Sequence, residues 1–458
     1  MKKHSLFFLA APALALALAF AACQTPVSAP EVHPQWARQA VMYEVNTRQF
    51  TPEGTFEAFA DEIPALREAG VDILWFMPIH PIGVEGRKGT LGSYYSISDY
   101  YAVNPEFGTL EDFKKCLDIA HSLDMKVIID LVAGHTSRDA KWLAHKDWYE
   151  IGADGEPAFL YDWSDVARLD YTNNQMREAM LSQMKYWVDT VGIDGFRCDV
   201  ADCVPVDFWN YAVEELEKLR PDVYMLAEGE QPSQTERAFD SYYAWNLHHT
   251  LNDLAQGTVR VDALRSCLDT MTLKFGPNAI PLLFTSNHDE NSWNGTEFER
   301  MGDAARQMAV LTYVLPGMPL MYTGQEVGNT KRLEFFEKDT IDFSDPLDFR
   351  SFYTKLGQVR KVIPALQVPP YGGVLEEVTT TCPEYVYAFT RAIEGSRMLA
   401  LFNFSAASCQ VQLTQDYANG SYTVVLAHPT LPSAQEVTEN TVWEMAPWGY
   451  VVLNQETK

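Results

Sequence analysis

The chain is poor in basic residues and lacks the cysteine and histidine spacings that bind zinc. Its 458 residues include 35 Lys and Arg against 62 Asp and Glu, which gives a formal net charge of −27. Binding to phosphates requires clustered basic side chains, so neither nucleic acid nor an anionic membrane surface is an expected partner. The seven cysteines are scattered without a Cys-x-x-Cys pair, which argues against a zinc site.

Tandem repeats and low-complexity tracts are also absent from the mature part of the chain, which excludes solenoids, propellers and a disordered chain. The hydrophobic content of 47% is enough for a large core. A chain of this length usually forms two or three domains, unless an α/β barrel takes most of it.

The first residues have the features of an export signal. Lys2 and Lys3 precede an apolar run that is shorter than a typical membrane-spanning helix. We therefore predict a signal peptide over residues 1–22. Residues 18–23, LAFAAC, resemble a bacterial lipobox, in which Cys23 becomes the lipidated first residue of the mature chain. The alternative is an ordinary secretory peptide that is cleaved before an incidental cysteine.

Residues 23–35 are polar and rich in proline, which is typical of a tether. If Cys23 is lipidated, the protein meets a membrane only through this N-terminal anchor and is expected in the cell envelope. Gln24 resembles the default residue for delivery to the outer membrane, but the face of the membrane stays open.

From Val41 onward, short β-like runs alternate with helical patterns, which predicts a parallel α/β fold. Thr109 and Asp112 have the spacing of a capping box and predict that a helix begins there. The expected elements up to Asp130 are strands at 41–46, 72–79 and 125–130 and helices near 55–69 and from 109.

A polar, aromatic stretch without periodicity follows at about 136–170, and we interpret it as a short insertion after the third strand. Its residues Trp142, Trp148 and Trp163 either form sugar platforms or pack a small core of the insertion, since a flat ring can do both. Both readings remain open. Trp293, in a Gly/Asn-rich loop, is a better candidate for contact with a substrate.

The alternation then resumes up to residue 363. The expected strands lie at 195–200, 223–228, 242–245, 281–286 and 319–324, and the expected helices at 174–191, 205–220, 258–275, 299–314 and 346–362. Beyond Ile363 the helix signals disappear and alternating strands predict an antiparallel β-sandwich domain at 364–458.

Four acids, Asp130, Asp199, Glu228 and Asp289, each end a short apolar run. Neighbours in this series are 69, 29 and 61 residues apart, which fits units of about 30 residues per strand and helix in a (β/α)₈ TIM barrel. The acids then lie on strands three, four, five and seven of a barrel spanning 36–363. A single acid at a strand end is usually a turn or cap residue, but four in register at the catalytic rim indicate an enzyme.

Paired carboxylates suit the cleavage of a glycosidic acetal. One group protonates the leaving oxygen and the other meets the positive charge at the anomeric carbon. Asp199 and Glu228 are on neighbouring strands, and in a retaining enzyme their carboxyl groups are about 5 to 5.5 Å apart. Arg197 points to the same face as Asp199 and is expected to keep it ionised.

Several short motifs, in order, resemble the α-amylase family, glycoside hydrolase family 13. They are DLVAGH at 130–135, GFRCDVAD at 195–202, MLAE at 225–228 and FTSNHD at 284–289, with YSISDYYAVNPEFGT at 95–109, GMPLMYTGQE at 317–326 and APWGYVVL at 446–453. The resemblance covers the chain from Val41 to its end.

The resemblance implies roles for the three acids. Asp199 would be the nucleophile that forms a β-glycosyl enzyme, and Glu228 the general acid and base. Asp289 would stabilise the distorted sugar through its 2- and 3-hydroxyls.

It also implies four substrate-binding residues. Tyr95 would stack on the sugar at the cleavage site, while His135, Arg197 and His288 would bond its hydroxyls or the carboxylates. Asp130 is interpreted as an anchor for these groups and not as a catalyst.

The chain departs from the family at two positions, and both concern calcium. Gly134 stands where many members have a calcium-binding Asn, and Arg168 stands where many have Asp, in VARLDYTN at 166–173. Calcium binds oxygen ligands, so we expect no metal and no cofactor, with Arg168 filling the electrostatic role of the ion.

The expected activity is retaining hydrolysis of α-1,4 bonds in an α-glucan. A transglycosylase or a cyclomaltodextrinase or neopullulanase type of enzyme is the alternative, because the same site serves both outcomes. A non-catalytic glucan-binding protein would have lost an essential acid, whereas all three are present.

Overall fold

The computed structural model describes residues 32–416, 418–438 and 440–456. The predicted signal peptide, Cys23 and most of the predicted tether lie outside the described residues. In the part that is described, no helix is long and apolar enough to cross a membrane.

Eight parallel strands close into a barrel. Three of them precede the insertion: β1 (Met42–Val45), β2 (Ile73–Phe76) and β3 (Lys126–Leu131). The insertion contains a two-stranded sheet, β4 (His135–Ser137) and β5 (Val166–Arg168). The other five barrel strands are β6 (Gly195–Cys198), β7 (Tyr224–Ala227), β8 (Ser241–Tyr243), β9 (Ile280–Leu283) and β10 (Met318–Tyr322).

The order around the barrel follows the chain, and β10 closes onto β1. The TIM-barrel prediction is thereby confirmed. Asp130 lies in the third barrel strand, Asp199 and Glu228 directly follow the fourth and fifth, and Asp289 follows the seventh after a short loop. The C-terminal strand ends therefore bring all four acids to one rim.

Twelve α-helices occur among the described residues. They are α1 (Thr47–Phe50), α2 (Phe56–Ala60), α3 (Ile63–Glu68), α4 (Leu110–Ser122), α5 (Asn174–Lys185), α6 (Val206–Glu217), α7 (Pro232–Thr235), α8 (Trp245–Ala255), α9 (Val261–Phe275), α10 (Glu297–Met301), α11 (Ala305–Val314) and α12 (Phe349–Val362).

Some helix predictions were correct and others need correction. Asp112 N–H donates to Thr109 Oγ1 at 3.2 Å and Thr109 N–H donates to Asp112 Oδ2 at 3.0 Å, so the capping box is confirmed. The helix predicted near 55–69 is two short helices. The strand predicted at 242–245 ends at Tyr243, and α8 begins at Trp245. The apolar spacing of Leu247, Leu251 and Leu254 was the available signal for α8.

Strand alternation divides the barrel residues between two cores. Ile128 faces the barrel interior, while its neighbours Val127 and Ile129 pack against the helices. The interior contains large side chains, among them Trp75, Tyr224 and Tyr243. Because Trp75 and Tyr243 carry polar atoms, the top of this core can bond directly to the groups at the rim.

Among the described residues from Val374 onward, the regular elements of the C-terminal region are all strands. They are β11 (Val374–Val378), β12 (Val386–Ile393), β13 (Ser396–Asn403), β14 (Cys409–Gln412), β15 (Gly420–His428), β16 (Ala434–Val437), β17 (Val442–Met445) and β18 (Tyr450–Glu456). Six form one antiparallel sheet in the order β11-β12-β13-β18-β15-β16, and β14 pairs with β17. One face of the large sheet packs with β14 and β17 around a third apolar core that includes Leu399 and Trp443.

The other face of the large sheet packs against the barrel helices. Buried Gln307 of α11 donates to the carbonyl oxygens of Asn403 and Gly449, at 2.9 and 3.0 Å. Arg391 of β12 donates to the carbonyl oxygens of Val314 and Leu315, both at 3.1 Å. The Arg391 bonds satisfy carbonyl groups at the end of α11, the Gln307 bonds satisfy carbonyl groups of the sheet domain, and together they fix the sheet on the side of the barrel.

Candidate active site

Arg197 lies at the centre of the candidate active site and is completely buried. It is in register with Asp130 on the neighbouring strand. Its Nη1 donates to Asp130 Oδ1 at 2.9 Å and to Asp199 Oδ1 at 3.2 Å. Its Nη2 lies 2.9 Å from Glu228 Oε1, which makes an ion pair. This contact is not a hydrogen bond, because its angle is unfavourable and Nη2 has no hydrogen-bond partner in the part of the chain that the structure describes. One guanidinium therefore contacts acids from three neighbouring strands.

The second carboxylate oxygens of Asp199 and Glu228 differ in their hydrogen bonding. Asp199 Oδ2 has no hydrogen-bond partner among the described residues, so it is available to a ligand. Glu228 Oε2 accepts a hydrogen bond from the Val200 N–H at 2.7 Å. Val200 has a φ of 37°, which is rare for a β-branched residue and costs about 1 to 3 kcal/mol. This strained turn directs an N–H group at the second carboxylate.

Burial and neighbouring charges shift the pKa of Asp199. Burial raises the pKa of Asp199 well above its usual range, and the charge of Glu228 raises it further, while Arg197 opposes both. Arg197, which was expected to keep Asp199 ionised, therefore lowers the pKa of Asp199 less than burial and the neighbouring carboxylates raise it.

Asp130 anchors the site from below, as interpreted from the sequence. It is completely buried. Besides Arg197, it accepts hydrogen bonds from Trp75 Nε1 at 3.3 Å and from the Tyr95 hydroxyl at 3.1 Å. Burial raises the pKa of Asp130 to about 6, although Arg197 lowers it. Because all its bonds go to protein groups, Asp130 positions its neighbours and does not face a substrate.

Tyr95 and His288 form a stacked pair beside the acids. Their ring centroids are 5.3 Å apart, and the Tyr95 hydroxyl lies 2.7 Å from His288 Nε2. The ring of Phe335 stacks on Tyr95 at 6.3 Å. Tyr95 is partly exposed, so a sugar can still contact it as predicted.

His135 lies behind Tyr95. Its Nε2 is 3.1 Å from the Tyr95 carbonyl oxygen, and its Nδ1 has no hydrogen-bond partner in the described part of the chain. Burial lowers the pKa of His135 to about 4, so the ring is neutral. With Nε2–H donating to the carbonyl, Nδ1 remains as a completely buried acceptor that no described residue uses.

Asp289 is the most accessible of the predicted acids, with 38% of its side chain exposed. Its Oδ2 lies 3.5 Å from His288 Nε2. Trp293, one turn further along, is 52% exposed and its ring is 5.3 Å from Phe335. Through Phe335, the predicted contact residue Trp293 is continuous with Tyr95, which makes one aromatic surface along this side of the rim.

The tryptophans of the insertion separate into two groups. Trp142 packs on Tyr100 at 4.6 Å and on Trp148 at 5.3 Å, so these two belong to a packed core. Trp163 instead lies 5.6 Å from the His135 ring. Of the three, Trp163 is the one placed next to the candidate substrate-binding residues.

The residues at the family's calcium position do not fit the ion. Gly134 offers no side-chain oxygen, and its carbonyl accepts a hydrogen bond from the Leu169 N–H at 3.1 Å. Arg168 pairs with Glu150 at 3.1 Å. Over the residues that the structure covers, no group of three or more His, Cys, Asp or Glu side chains could hold a metal. By the family resemblance, Arg168 therefore places a cation where many members have an Asp that could act as an oxygen ligand.

Comparison with known proteins identifies the class to which this fold and site belong. The model of the alpha-amylase catalytic domain matches residues 35–150 and 153–361. The chain therefore belongs to the α-amylase family of glycoside hydrolases.

Individual relatives agree with this assignment. Alpha-amylase MalA of Haloarcula japonica is 27% identical over 415 residues, which cover 85% of this chain and 59% of that protein. Alpha-amylase 3 of Dictyoglomus thermophilum is 26% identical over 386 residues, 74% of this chain and 73% of that protein. This chain thus spans less than two thirds of the length of the Haloarcula relative.

Solved structures share the whole architecture. The maltogenic alpha-amylase AmyB from Thermotoga neapolitana superimposes with a TM-score of 0.83 at 27% identity, covering 92% of this chain and 99% of that one. An alpha-amylase from Lactobacillus plantarum gives a TM-score of 0.81 at 30% identity with the same coverage.

Sequence reasoning missed three groups that contact the predicted site. Glu44 on β1 lies 2.5 Å from His288 Nδ1, and Tyr243 accepts a hydrogen bond from Arg197 Nε at 3.2 Å. Val200 supplies the strained N–H described above. Glu44 could have been found, because it is a further acid near the end of an apolar strand. The other two depend on backbone conformation and strand order, which a local pattern does not encode.

Proposed function

We propose that the protein is a retaining hydrolase that cleaves α-1,4-glucosidic bonds of starch-like glucans. The observation that carries this proposal is the contact of Arg197 with both Asp199 and Glu228, which holds two carboxyl groups at one point of the rim. Two carboxyl groups held together in this way can supply a nucleophile and an acid.

In the first step, Asp199 Oδ2 attacks the anomeric carbon as the bond to the leaving oxygen breaks. Glu228 gives its proton to that oxygen, and a covalent glycosyl enzyme forms. In the second step, Glu228 takes a proton from water, the water oxygen bonds to the anomeric carbon, and Asp199 leaves. Asp289 lies beside His288, where its carboxylate can bond the hydroxyls of the reacting sugar, whereas both ring nitrogens of His288 already contact protein groups.

Proton NMR of freshly cleaved maltoheptaose tests the mechanism. We expect the new reducing ends to appear first as the α-anomer and to mutarotate afterwards, because two displacements restore the configuration. Initial release of the β-anomer would contradict retention, since it requires a single displacement by water.

The alternative is a transferase or a cyclomaltodextrinase type of enzyme on the same site. A relative from Burkholderia pseudomallei, 26% identical over 398 residues, is named an α-1,4-glucan:maltose-1-phosphate maltosyltransferase. Products longer than maltoheptaose would indicate transfer, and shorter products alone would indicate hydrolysis. Faster cleavage of cyclic than of linear substrate would favour the cyclomaltodextrinase reading.

We also propose that the protein is exported and anchored through a lipid on Cys23. The support is the sequence of residues 1–35 alone. Expression of the full precursor in a bacterium with radiolabelled palmitate should label the protein, and Cys23→Ser should abolish the label and release the protein from the membrane fraction. Equal labelling of both forms would contradict the proposal.

A further inference from the structure

Glu44 is a buried acid that the proposed reaction does not use. It lies on β1, near the strand's C-terminal end, and is completely buried. Its carbonyl oxygen accepts hydrogen bonds from Thr323 N–H at 3.1 Å and from Thr323 Oγ1 at 2.7 Å. The backbone of Glu44 is therefore fixed to the end of β10, where the barrel closes.

The carboxylate of Glu44 is directed at one ring nitrogen of His288. Oε1 lies 2.5 Å from Nδ1, whereas Oε2 has no hydrogen-bond partner among the described residues. Burial of an ionised carboxylate is costly unless a partner charge compensates it. A positively charged His288 provides that compensation, whereas a neutral ring provides only a hydrogen bond.

The other nitrogen of His288 faces the reacting groups. Nε2 lies 2.7 Å from the Tyr95 hydroxyl and 3.5 Å from Asp289 Oδ2. The Tyr95 hydroxyl also contacts Asp130 Oδ2, which can only accept when ionised. Donation by His288 Nε2–H lets Tyr95 donate onward to Asp130. If Nε2 carried no proton, Tyr95 could satisfy only one of its two neighbours.

The charges around His288 also favour a protonated ring. Burial by itself lowers the pKa of His288, and Arg197 lowers it further. The charges of Asp289 and Glu44, with the hydrogen bond to Glu44, outweigh both and raise the pKa to about 9. Asp130 also faces the ring, since the charge of His288 lowers the pKa of Asp130.

We propose that Glu44 is a positioning residue that holds His288 as an imidazolium, with its Nε2–H aimed at Tyr95 and Asp289. The tyrosine ring and the Asp289 carboxylate are thereby kept in place for the reacting sugar at neutral and mildly alkaline pH. Glu44 itself does not touch the substrate. This inference rests on the proposed glucan hydrolysis only for its kinetic test.

The direct test needs neither a variant at Glu44 nor a substrate. In protein labelled with ¹⁵N-histidine, the His288 ring is identified by the signal that His288→Asn removes. We expect both ring nitrogens of His288 to be protonated at pH 7.5 and to titrate well above the ordinary range of histidine. A ring that is neutral at pH 7.5 would overturn the proposal, whatever the substrate is.

The kinetic test uses Glu44→Gln, which keeps the shape and an acceptor oxygen but removes the charge. Followed by ¹⁵N NMR, the His288 titration should move down by about 1 to 3 pH units in this variant, the effect of one neighbouring charge, and kcat/KM on maltoheptaose should fall at the pH at which the ring is then neutral. Glu44→Asp, which keeps the charge, should restore much of both. A purely structural Glu44 would lower the melting temperature of Glu44→Gln but leave the His288 titration unmoved, and that result would also overturn the proposal.

If the NMR titration agrees but no variant or wild-type protein cleaves glucans, the proposed function fails and the Glu44–His288 pair stands. If wild-type cleavage is normal but the His288 ring is neutral, the proposed function stands and the proposed role of Glu44 fails.

Discussion

Two arginine–carboxylate contacts of similar length lie in contrasting regions of this molecule. Arg197 and Asp130 are 2.9 Å apart at the barrel mouth and both side chains are completely buried. Arg168 and Glu150 are 3.1 Å apart in the insertion, with 40% and 41% of their side chains exposed. Water screens the second pair, so it contributes about 0 to 1 kcal/mol. The first pair cannot lose one partner without leaving a buried charge. The surrounding medium, and not the distance, decides what each contact does.

The largest effect is expected at the mouth, from Asp199→Asn. The variant loses the nucleophile but keeps the shape of the side chain, so kcat on maltoheptaose should fall on the order of 10⁴-fold or more. The melting temperature should stay the same or rise, because one of several crowded carboxylates is removed. Asp207→Asn, an exposed acid paired with Arg177, is the control and should retain full activity. Substantial activity in Asp199→Asn would contradict the nucleophile assignment.

Next in size is Tyr95→Phe, which keeps the aromatic ring but removes the hydroxyl between Asp130 and His288. Hydrogen bonds to charged groups contribute about 1.5 to 3 kcal/mol, so kcat/KM should fall roughly 10- to 100-fold. Steady-state kinetics and thermal unfolding check this. A fall in stability with unchanged kcat/KM would mean that the hydroxyl serves only the fold.

The insertion should show smaller and separable effects. Trp163→Ala removes the ring next to His135 and should raise KM on maltoheptaose about 3- to 10-fold, as expected for loss of about 1 kcal/mol of ring contact. The matched variant Trp142→Ala removes a packed ring and should lower the melting temperature with little change in KM. A raised KM for Trp142→Ala together with a lowered melting temperature for Trp163→Ala would contradict these assignments.

The smallest effect is expected at the exposed pair. We propose that the protein needs no calcium, because Arg168 stands where an anionic ligand is required. Treatment with EDTA should leave both activity and melting temperature unchanged. Arg168→Ala should change the free energy of unfolding by at most about 1 kcal/mol. A chelator-sensitive enzyme that calcium restores would contradict the proposal.

The sequence predicted the barrel and the position of its acids well, because both follow from local patterns. An apolar strand that ends in an acid, repeated at the period of a strand and helix, is visible without any contact information. The prediction was weaker where a boundary depended on the fold, as at Tyr243, where one run of residues contains both a strand end and the start of α8. The prediction was also weaker for the pKa of Asp199, since this pKa depends on burial and on all neighbouring charges and not on Arg197 alone.

The sequence by itself determined which residues could react, since Asp199, Glu228 and Asp289 are set by their places at strand ends. Only the tertiary structure decided how they are held. It brought Glu44, from the first strand, to His288, 244 residues away, and it turned the Val200 N–H toward Glu228. Closure of the barrel creates the first contact, because it pairs β1 with β10 and so brings Glu44 within reach of the loop after β9. The second contact follows from the pairing of β6 with β7.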